Sequence, residues 1–198
     1  MSMQQSATLI DTVFAGRGSR PLLRNAVIAL AATGLLTLSA KVQVPFYPVP
    51  MTMQSLVVLV IGAAFGWRLG MATVMFYLLQ GLAGLPVFAG TPEKGVGLAY
   101  MMGPTGGYLI GFVAAAFVTG FLAERGWTKS VLGSLAAMAI GHAVIFLFGF
   151  GWLAALMGAG KAYLFGVAPF HAATLFKTLL GAALLPAAWR VVEYLRRA

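Results

Sequence analysis

The stretch FGVAPFHAATLFKTLLGAALLPAAW, residues 165–189, holds one charged side chain, Lys177, in a run that is otherwise apolar, small or weakly polar. A run of 18 or more such residues is long enough to cross the roughly 30 Å hydrocarbon layer of a bilayer as a helix. Working outward from it, charge-free apolar stretches recur at residues 25–40, 51–66, 69–85, 103–123 and 130–157. Prolines mark their boundaries: Pro21 precedes the first, Pro45, Pro48 and Pro50 precede the second, Pro86 follows the third and Pro104 opens the fourth. The expected fold is an all-α membrane protein, a six-transmembrane-helix bundle. Its expected division is an N-terminal segment at 1–24, the membrane domain at 25–190 and a basic tail at 191–198. The stretch at 51–66 is short, so a tilted or partly inserted helix is the alternative there.

Composition supports the same class. Of 198 residues, 61% are hydrophobic and 9% charged, with a mean hydropathy of +0.93, whereas about a quarter of a soluble domain is charged. Water-soluble enzymes and nucleic-acid binders are thereby excluded, and six helices of about 20 residues leave no room for a second domain. The net charge of +9 reflects only four acids, Asp11, Glu93, Glu124 and Glu193. With both termini cytoplasmic, Arg17, Arg20, Arg24, Arg68, Arg125, Lys129, Arg190, Arg196 and Arg197 fall inside, and Lys41, Lys94 and Lys161 fall outside. That asymmetry obeys the positive-inside rule and predicts a multi-pass protein of the cytoplasmic membrane.

Lys177 is the informative residue. For a helix beginning near Val167 it sits about 15 Å deep at 1.5 Å per residue, near the midplane. A lysine there costs roughly 2.5–3.5 kcal/mol on the insertion scale, so it faces a polar cavity or a partner, or else it snorkels. Thr174 shares its face, and His171 lies one turn nearer the outside. His142 has no polar neighbours in sequence and reads as a hydrogen-bonded packing residue. The outer connections at 41–50 and 86–102 are long and rich in Pro, Gly and aromatics, which suits loops folded over a site as well as ordinary interfacial connections. Gly103-Pro104-Thr105-Gly106-Gly107 opens a helix, either as an anion seat or as a closely packed start. Lys94 either adds charge to that seat or is simply solvated. Gly107, Gly111 and Ala115 form a small-residue stripe suited to intramolecular packing. A second such face, at Asn25, Ala29 and Thr33, suits docking of a partner.

Catalysis and metal binding find no support. The acids are scattered, no acid is placed to complete a Ser, His and Asp arrangement, and there is no cysteine. Two histidines alone make no metal site. No GxxxxGK[ST] occurs, so any ATP hydrolysis must sit on another chain.

Four segments then carry a resemblance: Val49-Pro50-Met51-Thr52-Met53-Gln54, Gly84-Leu85-Pro86-Val87-Phe88-Ala89-Gly90, Met102-Gly103-Pro104-Thr105-Gly106-Gly107-Tyr108-Leu109, and Gly166-Val167-Ala168-Pro169-Phe170 with Lys177. In order and spacing they resemble the BioY family of biotin transporters, the substrate-binding (S) components of energy-coupling factor (ECF) transporters. The resemblance implies the six-helix S-component fold, with biotin as transported ligand and no cofactor. It implies a site near the outer surface on helices four to six, capped by loops one, three and five. Implied partners are a transmembrane coupling (T) protein and two ABC-type ATPases, with Ala29 and Thr33 at the docking face. The candidate substrate residues are Lys177, Thr174, Lys94, Gln54, Phe88, Gly90, Tyr100, Thr105, Tyr108, Trp152 and His171. The aromatic residues among them suit the bicyclic body of biotin, and the polar ones suit its ureido and carboxylate groups. One departure is visible: Ala173-Thr174 stands where the family commonly has Gly-Asp, which keeps a donor and acceptor but loses a charge. The alternatives are an S component for another small vitamin-like ligand, a stand-alone oligomeric biotin transporter, or a ligand-free assembly protein.

Overall fold

The computed structural model describes residues 8–14, 21–44 and 47–197. The short helix α1 spans Leu9–Val13 and is held by a capping box between Thr8 and Asp11. Then follow α2 (Pro21–Lys41), β1 (Gln43–Val44), β2 (Met51–Thr52), α3 (Gln54–Leu82), α4 (Gly97–Met101), α5 (Gly106–Ala123), α6 (Val131–Met157), α7 (Ala159–Gly166) and α8 (His171–Arg197). Among the described residues the fold is all-helical apart from the two-residue strands, which pair antiparallel with Gln43 opposite Thr52 and Val44 opposite Met51. Five helical segments are long and apolar enough to cross a membrane.

The 29 residues of α3 are not one rod. Gly66 has φ 78° and ψ 171°, a non-helical backbone inside the run, and only glycine adopts such a conformation without steric cost. The chain folds back there. A Cβ on Gly70 would lie 2.8 Å from the Gly62 Cα, and the Gln54 side-chain amide donates to the Tyr77 hydroxyl at 2.8 Å. Twenty-three residues of straight helix would hold the latter two roughly 35 Å apart. The segments read from sequence at 51–66 and 69–85 are therefore the two arms of a helical hairpin whose turn is a single glycine, tighter than the four-residue Gly66-Trp67-Arg68-Leu69 connection expected. The first arm, from Gln54 to Gly66, spans only about 18 Å.

Exposure is inverted relative to a soluble protein. Leu22, Leu132 and Leu147 are among many large apolar side chains left exposed, whereas Thr33, Ser39, Thr73, Thr119, Ser134, His142 and Lys177 are buried. Inside helices, most of these hydroxyls back-bond to their own chain: Thr33 to the Leu30 carbonyl, Ser39 to Leu36, Thr73 to Leu69 and Thr119 to Ala115. This satisfies each polar group without water. Small residues set the spacing of the helices. Gly62 lies against Ala116 and Thr119, Gly120 against Trp67, Gly107 against Trp152, and Gly111 against Ile145. The stripe at Gly107, Gly111 and Ala115 thus seats α5 within the bundle, on the internal packing role expected for it.

Three sequence expectations shift. First, α2 begins at Pro21, four residues before the expected boundary, since proline suits a first helical turn. Second, α8 begins at His171, after a 3-10 turn at Ala168–Phe170 that contains Pro169, and it runs on to Arg197 past the expected limit at 190. Lys177 therefore sits only about 9 Å along its helix, not 15 Å. Third, on the face carrying Ala29 and Thr33, Thr33 is only 2% exposed, while Ala29 is half-buried. The residues of the expected N-terminal segment at 1–7 and 15–20 lie outside the described residues.

Candidate functional site

A cavity of about 60 Å³ lies where α3, α5 and α8 begin. The wall follows helical spacing. Helix α5 contributes Thr105, Tyr108 and Phe112, α6 contributes His142, Ile145 and Phe146, and α8 contributes Thr174 and Lys177 one turn beyond Phe170. Residues three or four apart share a helix face, so each helix presents one stripe inward. Gln54 and Ser55 enter from the start of α3, and Val49, Pro50 and Thr52 cross over from the β1–β2 connection. Ala89 adds the connection that follows α3. Both connecting segments therefore fold over a hollow and do more than link helices.

Lys177 is 5% exposed and its ammonium donates to the Ser55 hydroxyl at 3.1 Å. An ammonium carries three donors, so capacity remains for a ligand oxygen. No carboxylate lines the cavity among the described residues. Tyr108 donates to the Gly166 carbonyl at 2.7 Å, which ties α5 to the end of α7, and it also lines the cavity.

A second layer fixes the covering loop. Tyr77 donates to the Val87 carbonyl at 2.7 Å and Tyr100 to the Ala89 carbonyl at 2.7 Å. Phe88 is 1% exposed, stacked on Tyr100 at 5.1 Å and edge-on to Tyr77 at 5.5 Å. Burial pushes the Tyr100 hydroxyl above its ordinary phenol range, against a smaller opposing pull from Thr105, so it remains a neutral donor. Lys41, at the end of α2, donates to the Phe88 carbonyl at 3.0 Å, the Thr91 carbonyl at 2.8 Å and the Thr91 hydroxyl at 3.2 Å. Those bonds use all three ammonium donors on one loop.

The predicted residues divide accordingly. Lys177, Thr174, Gln54, Thr105 and Tyr108 converge on the cavity. Phe88, Gly90 and Tyr100 stand behind it in the loop's support, and Gly90 has φ 70° with the Lys94 stem lying over it. Lys94 is exposed and outside the cavity wall, as a solvated loop lysine. His171 is also exposed, beside the Tyr163 ring at 6.3 Å, because the 3-10 turn before α8 rotates it away. Trp152 donates to the Gly103 carbonyl at 3.0 Å and faces a separate apolar groove between α5 and α6. The apolar wall is formed instead by Phe112, Ile145, Phe146 and Phe170. Sequence reasoning missed Ser55 and His142. Ser55 adjoins Gln54 in sequence and carries no stronger signal. His142, expected to serve packing alone, lines the cavity while its Nδ1 contacts the Met138 carbonyl at 3.1 Å and the Thr178 hydroxyl at 3.0 Å.

Residues 4–194 match the BioY family. The chain is similar to the biotin transporter BioY of Rhizobium etli, with 38% identity over 177 residues, 84% of this chain and 91% of the relative. It is also similar to the probable biotin transporter BioY of Pyrococcus horikoshii, with 40% identity over 136 residues, 69% of this chain and 78% of the relative. Its fold is that of a crystal structure of the S-component for biotin from an ECF-type ABC transporter. The TM-score is 0.73 at 23% identity, over 92% of this chain and 96% of that one.

Proposed function

The chain belongs to the BioY family, and from that membership and the chemistry of the cavity we propose that it binds biotin and takes it up across the cytoplasmic membrane as the S component of an ECF transporter. The observation that carries the reading is the cavity itself: a wall of Phe112, Phe146, Phe170 and Tyr108 around one buried ammonium, with no carboxylate among its described lining residues. A bicyclic, mostly apolar ligand with a carbonyl or carboxylate oxygen fits that pairing; a sugar or peptide would find too few polar partners. Lys177 donates to a ligand oxygen, Gln54, Thr105 and Thr174 supply neutral hydrogen bonds, and the aromatic wall takes the ring faces. The segment with Val49 and Pro50 lines the cavity and covers the bound ligand.

Counting the two arms of the Gly66 hairpin separately gives six membrane segments, with both termini cytoplasmic and the cavity on the outer half. The distribution of basic residues supports this orientation. Arg68 lies over Trp67 at 4.9 Å and Lys129 over Trp189 at 4.9 Å, at the end of the bundle away from the cavity. Cations with interfacial aromatics suit a cytoplasmic boundary. The chain carries no nucleotide-binding loop, so transport energy comes from two ABC-type ATPases through a transmembrane coupling protein. The test is titration of biotin into the protein in lipid nanodiscs, followed by calorimetry: saturable one-site binding is expected, and heats indistinguishable from dilution refute the proposal.

A further inference from the structure

His142 is 3% exposed, lies in the middle of α6 and lines the cavity. Its Nε2 is the one buried side-chain nitrogen or oxygen among the described residues without a hydrogen-bond partner. An unmade hydrogen bond in a dry interior is costly enough that most buried polar groups are paired, and this orphan belongs to a residue that lines the hollow.

The other ring nitrogen fixes what Nε2 offers. Nδ1 is 3.1 Å from the Met138 carbonyl, which can only accept, so Nδ1 carries the hydrogen. The Thr178 hydroxyl oxygen at 3.0 Å shares the same N–H. In a neutral imidazole Nε2 is then a bare lone pair. Thr178 directly follows Lys177 on α8, and both Lys177 and His142 line the cavity. The cavity wall thus carries a donor, Lys177, and a residue held with a bare acceptor nitrogen, His142. One edge of a cyclic urea offers the complement, a carbonyl oxygen next to an N–H.

We propose that His142 Nε2 accepts a hydrogen bond from a ureido N–H of the bound ligand and is a specificity-determining residue of this site. The inference rests on the biotin reading above. It adds an acceptor by which a cavity without a carboxylate recognises an N–H donor, and it disfavours cyclic carbamate and thiocarbamate analogues, whose ring O or S in place of that N–H brings a second lone pair to Nε2.

The test compares biotin with its two mono-N-methylated ureido analogues, by titration in nanodiscs, on the wild type, His142→Leu and His142→Gln. Wild type is expected to bind biotin and to reject one of the two analogues by about 10- to 100-fold, the scale of one buried hydrogen bond. His142→Leu should weaken biotin by a similar factor and abolish the discrimination, while His142→Gln, which retains an acceptor oxygen, recovers part of both. Should the leucine variant fail to fold, the wild type alone decides: with ¹⁵N-labelled histidine, the unprotonated Nε2 resonance shifts upfield when biotin is added. If wild type binds biotin but rejects neither analogue, or the Nε2 resonance stays in place, the inference is overturned and the biotin reading survives. If wild type binds no biotin, the biotin reading fails first.

Discussion

Replacing Lys177 with methionine separates what the buried ammonium costs the bundle from what it contributes to the ligand. In the unliganded protein the side chain is 5% exposed and holds one bond, to Ser55 at 3.1 Å. Removing a charge from the membrane interior recovers at most about 2.5–3.5 kcal/mol, the insertion-scale figure for a helix centre, and losing one charge-assisted hydrogen bond costs about 1.5–3 kcal/mol. At that upper bound the net change runs from about zero to a gain of about 2 kcal/mol, so the unliganded variant should melt close to or above wild type. Binding moves the other way. The ligand loses a charge-assisted hydrogen bond, about 1.5–3 kcal/mol, so affinity should fall roughly 10- to 150-fold. One experiment reads both: thermal unfolding in nanodiscs with and without biotin at 100 times the wild-type Kd. Wild type should gain about 2.7 kcal/mol from ligand and a variant weakened 100-fold only about 0.4 kcal/mol. Lys161→Ala, at an exposed position, serves as the control and should keep the full gain. A Lys177→Met protein that melts lower unliganded yet retains its biotin response would place the ammonium in structural support, and the reasoning would fail.

Three further outcomes follow from the same geometry. Lys41→Ala removes the three bonds to Phe88 and Thr91; amide exchange in the 86–96 segment should quicken and biotin binding weaken, and unchanged protection there would deny Lys41 its clamping role. Gly62→Val drives a side chain into the Ala116 carbonyl and Thr119 and should destabilise by at least about 1–3 kcal/mol; Gly34→Ala, with nothing within 4 Å of its added methyl, should be neutral or slightly stabilising. A single cysteine at Tyr47, which is 88% exposed beside the cavity, should react with a membrane-impermeant maleimide on whole cells, whereas one at Trp127 should react only after lysis. The reverse pattern would invert the proposed topology.

The bundle was legible because bilayer physics writes itself into composition. Apolar stretches free of charge mark segments whichever neighbours they meet, whereas the turn at Gly66 alone, a backbone that glycine adopts without steric cost, is seen only in the structure. Lys177 stood out because the single charge in a 25-residue, mostly apolar run demands a reason. The depth of that lysine was misjudged by four residues of helix, since Pro169 falls in a 3-10 turn and α8 starts only at His171; proline's effect on a helix start is local, but which side of it the helix resumes depends on how α7 packs. His171 and Lys94 were drawn into the site by proximity in sequence and released from it by the direction their side chains take.

Residue type and spacing alone thus determined the class of fold, the segments, and the presence of a polar element at Lys177, because each depends on the transfer of individual side chains between water and lipid. The tertiary structure alone decided which polar groups face one another. Ser55 meets Lys177 from 122 residues away, and His142 keeps Nε2 without a partner while Thr178 and Met138 hold its other nitrogen. Such pairings depend on the rotation of each helix about its axis. Close contacts constrain that rotation, at Gly62, Gly107 and Gly111 for α3, α5 and α6 and at Gly181 against Met138 and Leu56 for α8, and no pattern along a single helix specifies the partner.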